Sequence, residues 1–322
     1  MGVSGKPLLL SLFLLLTKQS VLTTNPCSTS NPLGIFCGSL TIPDQFNASQ
    51  FPTNTTMLSL GDDKAPSFLK NAPPLPAWPN LQYVTFNRFE FNDTNTIKSW
   101  LSNVKKTVRN LEFVGGRLPS LDSGMFDGFD NLETLRVDNA GLQRIQPGAF
   151  KGTPALTELL LKGNQLKELD WSVLPENVGL LNAPMNSITT LKVSSPPNLP
   201  NLHHANLGGN NITAIPAELI TFLRNGARFQ SIQVDLAGNP LIQNSDLCTT
   251  TKLQPLLRLA DEKVQKVDIF LTCGDNQQAF CEPNNATSKE AFQCKGCWKA
   301  LPYEMVASAY DVCQLGKQSS TF

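Results

Sequence analysis

Residues 156–169 read LTELLLKGNQLKEL. Apolar side chains fall at Leu156, Leu159, Leu161, Leu166 and Leu169, and an asparagine falls at Asn164. The spacing is L-x-x-L-x-L-x-x-N-x-L. A unit this short cannot bury its own apolar face, so it must stack on copies of itself. Anchored on the asparagine position, the same frame recurs at Asp63, Phe89, Gly116, Ala140, Asn164, Asn186, Asn210 and Asn239. The steps between these are 26, 27, 24, 24, 22, 24 and 29 residues. A β-sandwich also uses evenly spaced short strands, but it has no reason to keep a 24-residue period or an asparagine column.

The period and the motif predict an α/β solenoid: a leucine-rich repeat horseshoe with one parallel sheet on the concave side and disulfide-bonded caps at both ends. Within each x-L-x-L-x core the side chains alternate. The two anchors point inward and the x residues face the concave surface. The asparagine turns inward and bonds backbone groups that the turning chain leaves unpaired. Only the last four units keep it. Phe89 and Ala140 cannot make that bond and Gly116 has no side chain, which predicts a less regular N-terminal half. Phe126 and Phe150 each stand six residues before the next leucine and are expected to stack on the convex side. The glycine pairs Gly115–Gly116 and Gly208–Gly209 are expected to ease tight turns.

The 322 residues suffice for a large core, and 26 basic residues balance 26 acidic ones. That balance, with no basic cluster, argues against a nucleic-acid partner. Lys6 followed by the apolar run 8–16 reads as a secretory signal too short to span a bilayer. No second run of spanning length follows, so no membrane span is expected. The expected divisions are 1–24 signal peptide, 25–54 N-terminal cysteine cap, 55–242 eight repeats and 243–322 a cysteine-rich helical cap. In that last part, Leu253, Leu256, Leu257, Ala260 and Val264 have helical spacing, and a second helix is expected from Pro302 to Cys313.

The eight cysteines sit only at the ends: Cys27, Cys37, then Cys248, Cys273, Cys281, Cys294, Cys297 and Cys313. Behind a signal peptide they read as disulfides. The first two close a loop just before a strand expected at 39–42. The other six allow fifteen pairings, and the sequence does not choose among them. Sequons occur at Asn47, Asn54, Asn92, Asn211 and Asn285, consistent with a secreted glycoprotein.

Catalytic candidates are few. Cys294 and Cys297 have the C-x-x-C spacing of a thiol oxidoreductase or half a zinc site. In a secreted cap, separate structural bridges are the simpler reading. His203 and His204 are the only histidines, and nothing near them in sequence supplies a carboxylate. No nucleophile elbow, phosphate loop or H-E-x-x-H motif is present. No cofactor and no metal are expected, and the chain reads as non-enzymatic. The repeat frame instead places Tyr83, Asn87, Arg88, Glu112, Arg136, Asp138, Glu158, Leu160, Lys162, His204, Asn206 and Asp235 on the concave face. Tyrosine and arginine are the residue types enriched at binding hot spots. The expected partner is an extracellular protein held by this face.

The repeat pattern, the PGAF segment at 147–150 and the terminal cysteines resemble extracellular leucine-rich repeat proteins. Asn239-Pro240 is followed by a late Cys248, with CKGCW only at 294–298 and CQLGKQSSTF at the end. That arrangement resembles a group of secreted arthropod repeat proteins that includes the non-catalytic subunit of the decapod luciferase, oplophorus-luciferin monooxygenase. The resemblance implies an accessory chain that associates with a partner, and it implies no luciferin chemistry. An innate-immune recognition or adhesion protein is the alternative function.

Overall fold

The computed structural model describes residues 27–30, 33–42, 44, 46–70, 72–91, 93–225 and 231–240, together with the backbone of 266–273, 277–283 and 292–299. Thirteen strands form one sheet in chain order. They are β1 (Cys27–Ser30), β2 (Gly34–Cys37), β3 (Met57–Leu60), β4 (Tyr83–Asn87), β5 (Asn110–Val114), β6 (Thr134–Asp138), β7 (Glu158–Leu160), β8 (Leu180–Asn182), β9 (His204–Asn206), β10 (Ser231–Asp235), β11 (Lys266–Cys273), β12 (Gln277–Pro283) and β13 (Phe292–Lys299). From β2 to β11 every pairing is parallel; β1 at one end and β12 and β13 at the other run antiparallel. Short strands on the far side of the turns pair separately, for example Ser120–Leu121 with Arg144–Ile145 and Glu168–Asp170 with Thr190–Lys192. Two helices lie in the longer turns: α1 (Thr94–Trp100), whose N-cap Asp93 accepts from Asn95 N–H, and α2 (Ala217–Asn225).

The register carries the leucine-rich repeat frame. Leu58, Val84, Leu111, Leu135, Leu159, Leu181, Ala205 and Val234 are successive ladder partners. All are buried in one continuous core. Each fully buried leucine contributes about 1.5–3 kcal/mol, and the stack as a whole makes each turn the lid of its neighbour.

The asparagine column behaves as its chemistry requires. Asn164 Oδ1 accepts from Ala140 N–H at 3.0 Å and Leu142 N–H at 3.1 Å. Its Nδ2 donates to Val137 O at 2.6 Å and Leu161 O at 3.0 Å. Asn186, Asn210 and Asn239 repeat the arrangement, reaching back to the N–H of Leu166, Ile188 and Ile212 respectively. Each also donates to a carbonyl of its own turn and one of the turn before.

The expected irregularity of the N-terminal half does not appear in the main sheet. There β3 to β6 are four or five residues long, against three for β7 to β9. Backbone groups do the work of the missing amides: Arg117 N–H donates to Phe89 O, Phe91 N–H to Arg117 O and Leu118 N–H to Ala140 O. Phe89 takes the asparagine's place in the core and packs edge-on against Phe86 at 5.1 Å. Phe126 and Phe150 stack as expected, 6.3 Å apart and nearly parallel.

The N-terminal cap differs from expectation in one respect. Cys27 and Cys37 are bonded, but they join β1 to β2, and β2 then extends the main sheet by pairing with β3. Ile35 and Cys37 continue the inward columns. The strand expected at 39–42 forms only over Thr41–Ile42, on the far side of the turn, beside Ser67–Leu69. The helix expected at 253–264, the one from Pro302, and Cys248 and Cys313 lie outside the described residues.

One column was not foreseen. The residue just before the asparagine position is left-handed in seven turns: Arg88, Gly115, Asn139, Gly163, Met185, Gly209 and Gly238. The chain must leave the sheet sharply there. Of the two glycine pairs, Gly115 and Gly116 both have positive φ, whereas in the second only Gly209 does. Met185, at φ 55°, is also the most exposed large apolar residue named here, at 62%. A non-glycine residue in this conformation costs about 1–2 kcal/mol, and glycine's extra freedom in the unfolded chain takes back about 0.5–1 kcal/mol. Met185→Gly is therefore expected to add up to about 1 kcal/mol of stability, read as a raised urea midpoint. A lowered midpoint would show that the methionine packs usefully.

Candidate concave binding site

The outward positions of β2 to β10 form three parallel columns whose members lie one strand spacing apart, about 4.8 Å. The first runs Gly34, Met57, Tyr83, Asn110, Thr134, Glu158, Leu180, His204, Gln233 and the second Phe36, Ser59, Thr85, Glu112, Arg136, Leu160, Asn182, Asn206, Asp235. The third column, at the strand ends, holds Asn87, Val114, Asp138 and, just past β7, Lys162. Tyr83, Glu112, Arg136, Glu158, Lys162, His204 and Asp235 thus share the sheet face that the repeat frame assigns them. Tyr83, Glu158 and Lys162 are exposed, and Glu112, Arg136, His204 and Asp235 are half-buried.

Two of the expected contact residues stand elsewhere. Asp138 is buried at 5% exposure. Its carboxylate holds Arg136 Nε at 2.7 Å and accepts Lys162 N–H at 3.0 Å, tying adjacent turns together. It is part of the wall and not of the contact surface. Arg88 lies one residue past β4, at the left-handed rim, where its Nη1 donates to Asp63 O at 2.8 Å.

The two ends of the face differ in electrostatics. At the C-terminal end the ladder brings Asp235, which is 31 positions downstream, within electrostatic reach of His204. The histidine therefore has the carboxylate neighbour that its own stretch of sequence lacks. Burial holds His204 below the ordinary imidazole range, opposed by Asp235. Burial likewise pushes Asp235 up, opposed by the hydrogen bond from Ala237 N–H. Desolvation thus drives both groups toward their neutral forms. At the N-terminal end there is no charge at all on β2, β3 or β4 in the first two columns. In the middle, Glu112 and Glu158 receive hydrogen bonds from the hydroxyls of Thr85 (3.5 Å) and Thr134 (3.4 Å) on the preceding strands.

Sites outside this face are less developed. Cys294 and Cys297 lie within β13, paired antiparallel to β12, and the backbone offers no helix start at Cys294. A thiol redox motif needs that context to lower a cysteine's pKa. In the same ladder Cys281 is the register partner of Cys294, and between β11 and β12 Cys273 pairs with Gln277. Among the described residues no group of three or more His, Cys, Asp or Glu is placed to hold a metal ion. No helix among them is long and apolar enough to cross a membrane. Of the sequons, Asn47, Asn54 and Asn211 are exposed, while Asn92 and Asn285 lie outside the described residues.

Residues 106–171 match the family model described as leucine rich repeat. Comparison with curated proteins finds no match. The matched segment covers β5 to β7 and includes the motif around Asn164, and the turns on either side keep its register. Together the match and the stacked turns support a leucine-rich repeat protein, a fold that suggests a protein-interaction role.

Proposed function

We propose that the chain is a secreted, glycosylated protein that holds an extracellular protein partner on its concave sheet. The observation that carries this reading is the unbroken face of β2 to β10. It offers a broad surface of aromatic, apolar and charged side chains, suited to a large partner more than to a small one in a dry pocket. The described sequons Asn47, Asn54 and Asn211 fall on no strand position of that face, so glycans there would leave it open. Secretion rests on the signal-like segment 1–24, the Cys27–Cys37 disulfide and the sequons. An accessory role like that of the decapod luciferase's non-catalytic subunit is one specific form of this reading, and it rests on the late Cys248 after Asn239-Pro240 and on the CKGCW and CQLGKQSSTF segments.

The test is affinity capture from the native secretion with mass spectrometry, followed by direct titration of the captured partner. Tyr83→Ala is expected to weaken binding about tenfold with an unchanged melting profile. Arg136→Glu is expected to weaken it as well, and also to lower the melting temperature, because it sets a second carboxylate beside the buried Asp138. A partner whose affinity ignores both changes would move the interface off this face.

A further inference from the structure

The N-terminal third of the concave face is unlike the rest. Tyr83 and Phe36 are 42% and 39% exposed, and Leu33, which leads into β2, is 42% exposed. Met57 stands beside Tyr83 in the first column, and Ser59 separates Phe36 from Thr85 in the second. Each of β2, β3 and β4 thus presents one large side chain, Phe36, Met57 and Tyr83, and one small one, and the small Ser59 accepts from Asn87 Nδ2 at 3.3 Å. Exposed apolar side chains scattered singly are ordinary, but a contiguous group rimmed by polar residues marks a contact site.

The rim here is acidic. Glu112 is the next second-column residue after Thr85, one strand spacing away, and no basic side chain lies within ion-pair distance of it among the described residues. Arg136, its neighbour on β6, is turned to Asp138 instead. Glu158 is in the same condition two strands further on. Closer to the aromatic group, Arg88 donates to Asp63 O and Arg109 pairs with Glu133, so these three arginines are engaged while Glu112 has no cation.

Resting on the protein-binding reading above, we infer that β2 to β5 form the docking point for a basic protein segment that carries an arginine or lysine next to an aliphatic or aromatic residue. The apolar side chain packs against Phe36, Met57 and Tyr83. The cation reaches Glu112, about two strand spacings away (~10 Å), within the span of neighbouring residues of an extended segment and a long basic side chain. The rings of Tyr83 and Phe36 also favour a guanidinium over their faces.

The test uses a random 12-residue peptide display library selected against the full purified chain. The expected peptides carry Arg or Lys within three residues of an apolar side chain. Glu112→Gln and Tyr83→Ala should each weaken them at least tenfold, since a charge-assisted bond and an aromatic anchor are each worth that factor. Both variants should melt like the parent. Selection of acidic peptides, or of none, overturns the inference. Peptides that ignore Glu112→Gln and Tyr83→Ala but are lost on Arg136→Glu overturn it too, while leaving the broader protein-binding reading in place.

Discussion

Leu159→Glu is expected to yield no folded protein. Leu159 is fully buried and lies in ladder register between Leu135 and Leu181. Removing the leucine forfeits about 2–5 kcal/mol of burial and packing. The carboxylate that replaces it has no basic partner in that column of apolar side chains, and an unpaired buried charge costs several kcal/mol more. Each turn covers the next, so the damage spreads to both neighbours. The sum rivals the ~5–15 kcal/mol stability of an ordinary domain. Circular dichroism and the yield of folded protein measure it. A normal yield with an unchanged melting curve would mean that Leu159 does not stand in the shared core.

Asn164→Leu is expected to cost about 3–5 kcal/mol although it makes the interior more apolar. The side chain is 5% exposed, and its four short bonds satisfy two N–H groups and two carbonyls. Leucine shares the branching at Cγ but is larger, so packing gains nothing from the change. Leu161 O keeps its bond from Asn186 Nδ2 at 2.9 Å, but the other three backbone groups lose the amide in the interior, at about 1–3 kcal/mol each. Urea unfolding gives the shift. Asn201→Ala is the control: its exposed amide bonds only to Asn177 Oδ1, and its loss should stay within about 0.5 kcal/mol. If both variants unfolded at the parent's midpoint, water would have to be serving the inward backbone in place of the amide.

Much of this architecture was legible in the chain because its physics is local. Leu159 and Leu161 alternate, Asn164 follows at three, and the next turn does the same. The stacking of Phe126 on Phe150 was readable from their equal distance to the next leucine. What could not be read came from contacts between turns. Asp138 looks like a solvent-facing strand residue; only the ladder shows that Lys162 N–H closes onto it. His204 acquires Asp235 in the same way. Phe89 in an asparagine position looked like a broken rule, because the sequence does not display the backbone bond from Arg117 that makes the amide unnecessary. The left-handed column was half visible in the Gly-Asn pairs at 163–164, 209–210 and 238–239. Arg88, Asn139 and Met185 hid it in three of the other turns. For the contact surface, the frame chose the right strands but could not rank their residues, since that depends on which charges are already engaged.

The asparagine bonds have a direction. Asn164 satisfies the strand that precedes it, as do Asn186, Asn210 and Asn239. During synthesis, a newly emerged coil must therefore wait for roughly another two dozen residues before its own interior is complete. Maturation on the ribosome trails elongation by one repeat, and a premature stop leaves the last coil made unfinished, whichever coil that is.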